Sequence, residues 1–124
     1  MATADSDGYL IQERDVDGII VLALSRDLKG PSELTLKERI DALVREGHRQ
    51  IVVDLKNLPY VDSTGLGRLI RAHISVRQSG GRVRLCNVTP RVMDLLKLSR
   101  LDTVLDIYAT EEEALAAVRS KALV

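Results

Sequence analysis

The chain has no Trp, no Phe and only three Tyr, so it lacks an interleaved set of rings on which nucleic acid bases could stack. It also lacks a charge excess. Lys and Arg number 18 and so do Asp and Glu, which leaves no long-range positive field to draw it to phosphate backbones or anionic lipids. Nucleic acid is therefore not an expected partner. The single cysteine, Cys86, cannot close an internal disulfide and lies in the alternating stretch Val83-Arg84-Leu85-Cys86, where it reads as a thiol kept reduced in a cytosol. The longest apolar run, Ile19 to Leu24, is far shorter than the ~18 residues a membrane span requires. The start, Met1-Ala2-Thr3-Ala4-Asp5-Ser6-Asp7, is polar and acidic where a signal peptide would be basic and then apolar. A cytoplasmic protein with no membrane span is the expectation.

What is present suits one domain. At 124 residues and 45% hydrophobic content, the chain is long enough to bury about two thirds of its unfolded surface without metal or disulfide staples. Residues 1–8 read as a disordered lead and 9–120 as the domain. Tyr9 to Arg14 and Ile19 to Leu24 are β-prone runs around an Asp17-Gly18 hairpin signal. Behind Ser32, a candidate N-cap, Leu36, Ile40, Leu43 and Val44 recur at helical spacing until Gly47. Ile51-Val52-Val53-Asp54-Leu55 is too apolar for a half-exposed strand and predicts a central one. Leu66, Leu69, Ile70 and Ile74 predict one buried face of a helix ending at Gly80-Gly81, with Arg68, Arg71 and Arg77 on its solvated face. Arg82 to Cys86 follows as a strand. Thr89-Pro90 opens a helix with Val92, Met93, Leu96 and Leu98 inward, Val104 to Tyr108 is a short strand, and Thr110 with Glu113 has capping-box spacing before a last helix. The order predicts an α/β domain, a mixed sheet of four to five strands with helices mainly on one face.

One segment concentrates chemistry. Asp62-Ser63-Thr64-Gly65-Leu66-Gly67 sets two hydroxyls and two glycines between a strand and a helix, where free backbone N–H groups and the helix dipole favour an anion. From spacing alone the plain reading is the favoured one, in which Asp62 or Ser63 is only a cap and the glycines allow close packing. Neither the Walker A nor the dinucleotide fingerprint is matched by Gly65-Leu66-Gly67, and Val61 stands where a hydrolase elbow needs glycine. His73 lies about 15 Å further along the helix, too far to be the base for Ser63. No enzyme is expected, no cofactor, and no metal site from two His and one Cys scattered along the chain.

From about Gly30 to Leu115 the chain resembles the STAS domain of sulphate transporters and anti-sigma factor antagonists. The resemblance rests on Ile51 to Leu55 leading into Val61-Asp62-Ser63-Thr64-Gly65-Leu66-Gly67, then Gly80-Gly81 and Asp94-Leu95-Leu96. An apolar strand followed by Asp-Ser-x-Gly-Leu-Gly is similar to the bacterial antagonist branch. That resemblance implies phosphorylation of Ser63, with Thr64 the second choice, by a serine kinase that is also the anti-sigma factor. The free form would bind it and release a sigma factor, and a serine phosphatase would reset the switch. The implied partner surface is Asp62, Ser63, Thr64, Gly65, Leu66, Gly67 and Arg68, with Asp27 and Leu28 in the turn after the second strand. There the chain departs from the family's Gly-Glu-Leu-Asp-like turn, since Arg26 and Lys29 stand at its ends. The other reading of the same resemblance is a scaffold or accessory subunit that is not phosphorylated.

Overall fold

A computed structural model describes residues 2–4, 9–26 and 34–122. Three short runs of strand precede the first helix: β1 (Ala2–Ala4), β2 (Tyr9–Val16) and β3 (Ile19–Arg26). Then come α1 (Leu34–Arg45), β4 (Gln50–Asn57), α2 (Ser63–Gln78), β5 (Arg82–Cys86) and α3 (Pro90–Leu98). A 3-10 turn (Leu101–Thr103), β6 (Asp106–Tyr108) and α4 (Glu111–Ala122) complete the order. The six strands lie side by side in chain order. Pairing is antiparallel from β1 to β3 and parallel from β3 to β6.

The hairpin between β2 and β3 closes as its letters require. Asp17 and Gly18 both have positive φ, 55° and 87°, the left-handed pair that matches the twist of the flanking strands. Asp15 accepts the Gly18 N–H at 2.8 Å and holds the turn.

Strand order fixes where the helices go. Each parallel strand is added on the same side of the last, and right-handed crossovers then place every connecting helix on one face. Leu36, Ile40 and Leu43 of α1, Leu66, Leu69 and Val76 of α2, and Val92 and Leu96 of α3 share one core with Ile20, Leu22, Ile51, Val53, Val83 and Leu85. The alternate residues Ile19, Val21, Val52 and Cys86 face the other way. Because α4 is not a crossover it is free to cover them, with Ala114, Leu115 and Val118. Its start is capped by Thr110, whose hydroxyl accepts the Glu113 N–H at 3.1 Å.

Several expectations need correction. Ala2–Ala4 is not disordered but pairs with Leu10–Gln12 of β2; β2 would otherwise present an open edge, and pairing there uses backbone groups alone. Ile74 is 47% exposed and Arg68 only 9%, the reverse of the expected assignment. At about 100° per residue, Ile74 falls nearly opposite the stripe through Leu66, Leu69, Ala72 and Val76, whereas Arg68 turns toward α1. Leu98, expected inward, is 84% exposed at the end of α3, and Val104, at 52%, stands outside β6 after the 3-10 turn. Ser32 lies outside the described residues.

Truncating Leu69, 3% exposed, to alanine is expected to cost about 2 to 5 kcal/mol in chemical denaturation, as for a buried leucine. Ile74→Ala, on the open face, should change stability by less than about 0.5 kcal/mol.

Candidate functional site

Two apolar side chains control the passage from β4 to α2. Leu58 is fully buried and Val61 is 6% exposed, so the connection is pinned at both points while Tyr60 and Asp62 stay in solvent. The Leu58 N–H bonds the Leu55 carbonyl at 3.0 Å. The entry to α3 braces the same connection: the Thr89 hydroxyl donates to the Pro59 carbonyl at 3.0 Å, and Arg91 stands over the Tyr60 ring, 5.4 Å from its centroid.

Asp62, with φ −90° and ψ −179°, is the N-cap of α2. Its carboxylate accepts the Gly65 N–H at 2.8 Å and its carbonyl accepts Leu66 N–H at 2.9 Å. Ser63 is thus the first helical residue and Thr64 the second, one step later than an assignment with Ser63 at the cap. Both are exposed. Their own N–H groups lie in the first turn, where the helix offers no acceptor. The capping bond is made by the carboxylate beside Ser63, so the serine hydroxyl is not needed to start the helix.

Helical rotation separates the remaining candidates. Ser63, Gly67 and Ile74 fall along one side of α2, away from its buried stripe, while partly buried Ile70 packs against the core. Above Gly67 there is open space, for a Cβ built there would meet nothing within 4 Å. Close internal packing is therefore not its reason for being glycine. Gly65 and Leu66 are buried, and Leu66 belongs to the core. Arg68 does not join Ser63; it lines a groove of about 350 Å³ between α1 and α2 with Leu36, Ile40 and Ala72. Thr64 sits on the flank leading to that groove. Asp27 and Leu28 lie outside the described residues. Ile74 is a candidate contact that residue type concealed, and its spacing of eleven from Ser63 is the signal that places both on one side.

The C-terminal ends of β4 and β5 are tied beneath this surface. Asp54, 6% exposed, accepts the Lys56 N–H at 2.9 Å and the Asn87 side-chain amide at 3.1 Å, and Asn87 takes a left-handed turn at φ 55°. Burial, followed by the charge of Asp54, pushes the neighbouring Cys86 thiol up to about 12, so it is protonated and unreactive near neutrality. His73 is 6% exposed on the apolar side of α2. Among the described residues no group of His, Cys, Asp or Glu could hold a metal ion, and no helix is long and apolar enough to cross a membrane.

Comparison with known proteins gives a consistent result. The family model described as STAS domain matches residues 11–114. The chain is 34% identical over 99 residues to an anti-sigma F factor antagonist of Paenibacillus polymyxa, covering 79% of this chain and 85% of the relative. An anti-sigma factor antagonist from Mycobacterium paratuberculosis has a similar crystal structure, with TM-score 0.77 and 25% identity over 94% of this chain and 99% of that one. The structure of the anti-sigma factor antagonist SpoIIAA in its unphosphorylated form is also similar, with TM-score 0.74 and 26% identity over 89% and 96% of the two chains.

Two substitutions in the first turns of α2 should move stability in opposite directions on thermal or chemical denaturation. Asp62→Ala removes the cap and is expected to cost about 0.5 to 2 kcal/mol. Gly67→Ala replaces a helix glycine with space above it and should add about 0.5 to 1 kcal/mol.

Proposed function

Because this chain belongs to the STAS domain family, we propose that it is an anti-sigma factor antagonist, a cytoplasmic binding protein whose affinity for its partner is controlled by phosphorylation of Ser63. The observation that carries this reading is the exposed Ser63 at the first turn of α2, with its cap supplied by Asp62. A kinase can take such a hydroxyl without undoing the helix. In the unmodified state the outer side of α2, from Ser63 over Gly67 to Ile74, meets the anti-sigma factor. The open space over Gly67 admits close approach of a partner's backbone or side chain. The family resemblance names Asp27 and Leu28 as further partner-binding residues. That partner is itself the serine kinase, and a serine phosphatase restores the hydroxyl.

The electrostatics explain how one group switches the interface. A phosphate on Ser63 adds about −1.5 to −2 charges next to the Asp62 carboxylate. Within the chain, the free N–H groups and positive dipole end of α2 offset that charge. A partner surface shaped for a neutral hydroxyl has no such compensation, so the bound state loses through repulsion, bulk and desolvation while the fold persists. Support also comes from the relatives: one is named an anti-sigma F factor antagonist, and another was solved in a form described as unphosphorylated. The segment Arg26-Asp27-Leu28-Lys29 departs from the family's sequence pattern and favours the second reading, a scaffold or accessory subunit that is not phosphorylated.

Treatment with the cognate kinase and ATP, followed by mass spectrometry with peptide mapping, should find one phosphate, absent in Ser63→Ala and retained in Thr64→Ala. Ser63→Asp and Ile74→Asp should each weaken anti-sigma factor binding at least tenfold in calorimetry with an unchanged unfolding transition. Phosphate on Thr64 would overturn the site. Undiminished binding by fully phosphorylated protein would leave the scaffold reading in its place.

A further inference from the structure

At the edge of the sheet remote from Ser63, where β4 and β5 begin, a cavity of about 340 Å³ opens between Gln50, Arg77, Gly80, Gly81, Arg82 and Arg84. Strand alternation explains one of its walls. Val83 and Leu85 point into the core under α1, α2 and α3, which sends Arg84 to the opposite face of β5 with Cys86. Arg84 is only 1% exposed. One of its terminal nitrogens donates to the Gln50 side-chain oxygen at 2.5 Å, and its buried Nε has no hydrogen-bond partner. Asp106, its neighbour across the pair with β6, is engaged instead by Arg82, with Nε 3.5 Å from a carboxylate oxygen.

A buried guanidinium is costly unless an opposite charge and filled hydrogen bonds compensate it. Gln50 offers a neutral acceptor only. Three guanidiniums line the cavity and Asp106 pairs with one of them, Arg82, so the lining is cationic. The backbone wall is rigid and bare. A Cβ at Gly81 would lie 2.3 Å from the Arg49 carbonyl oxygen, and the Arg82 N–H bonds that same oxygen at 2.8 Å.

We propose that this cavity binds a small phosphate-bearing anion, either inorganic phosphate or the phosphate group of a small monoester. The planar donors of Arg84 and Arg82 suit the oxygens of a tetrahedral anion, and exposed Arg77 adds a third guanidinium to the lining. The net positive lining selects a doubly charged phosphate over a monocarboxylate. The site is separate from the Ser63 surface, since β4 alone spans about 23 Å between Gln50 and Asn57.

The test is an amide-resolved NMR titration of the full chain at constant ionic strength with sodium phosphate, glycerol 3-phosphate and sodium acetate in separate arms. Saturable shifts are expected at Gly80, Gly81, Arg82 and Arg84 with both phosphates, at least tenfold tighter than with acetate. The tighter of the two phosphates identifies the source. Arg84→Lys removes the forked donor and should weaken binding at least tenfold; Arg77→Gln, at an exposed position that cannot threaten the fold, should weaken it at least threefold. Ser63→Ala should bind phosphate as the parent does. Shifts that do not saturate, that match those with acetate, that centre on Ser63 and Thr64, or that persist unchanged in Arg77→Gln would overturn the proposal.

Discussion

A parallel strand covered on both faces has no water to satisfy its backbone or solvate its side chains, and β4 is such a strand. Ile51, Val53 and Leu55 pack beneath α1, α2 and α3, while Val52 and Asp54 lie on the side covered by α4. Its two edges are taken by β3 and β5. Chain direction then dictates the rest. The strand must release the chain at its C-terminal edge, the connection is pinned by Leu58 and Val61, and α2 must begin where the sheet ends. Ligand and partner sites of open α/β sheets collect at that edge for the same reason. The exposed first turn holding Ser63 is thus placed by a buried strand.

At that edge the work is divided between adjacent residues. Asp62 supplies the cap, Ser63 the exposed hydroxyl, Gly65 the N–H that the cap holds, and Leu66 the first anchor into the core. If Ser63 were the cap, modification of its oxygen would compete with the bond that starts the helix. With Asp62 in that role, the Ser63 oxygen takes no part in the bond that starts the helix. Thr89 and Arg91, at the start of α3, brace the connection.

Much of this was legible in the letters. The continuous apolar run at Ile51 marks a buried strand because it leaves no polar face, and Thr89-Pro90 and Thr110 with Glu113 mark helix starts through capping chemistry that depends on few neighbours. Residue type misled where tertiary phase decided. Ile74 and Arg68 exchange their expected places because the rotation of α2 is set by where Leu58 and Val61 deliver it. Arg84 reads as an unremarkable strand arginine, yet alternation places it on the face that α4 and β6 enclose. Ala2–Ala4 carries no strand pattern at all, since a three-residue edge partner needs only its backbone groups.

Under the proposed switch, charge at Ser63 changes a surface and leaves the fold intact. The most direct measurement compares backbone amide spectra of the serine protein with those of a protein carrying phosphoserine at position 63 by genetic encoding. Shifts are expected only in the loop before α2 and its first two turns, with the amides of β3, β4 and β5 unmoved and their hydrogen-exchange protection equal. Shifts or lost protection spreading through β4 and the core beneath α2 would contradict it, because the switch would then act by rearranging the domain.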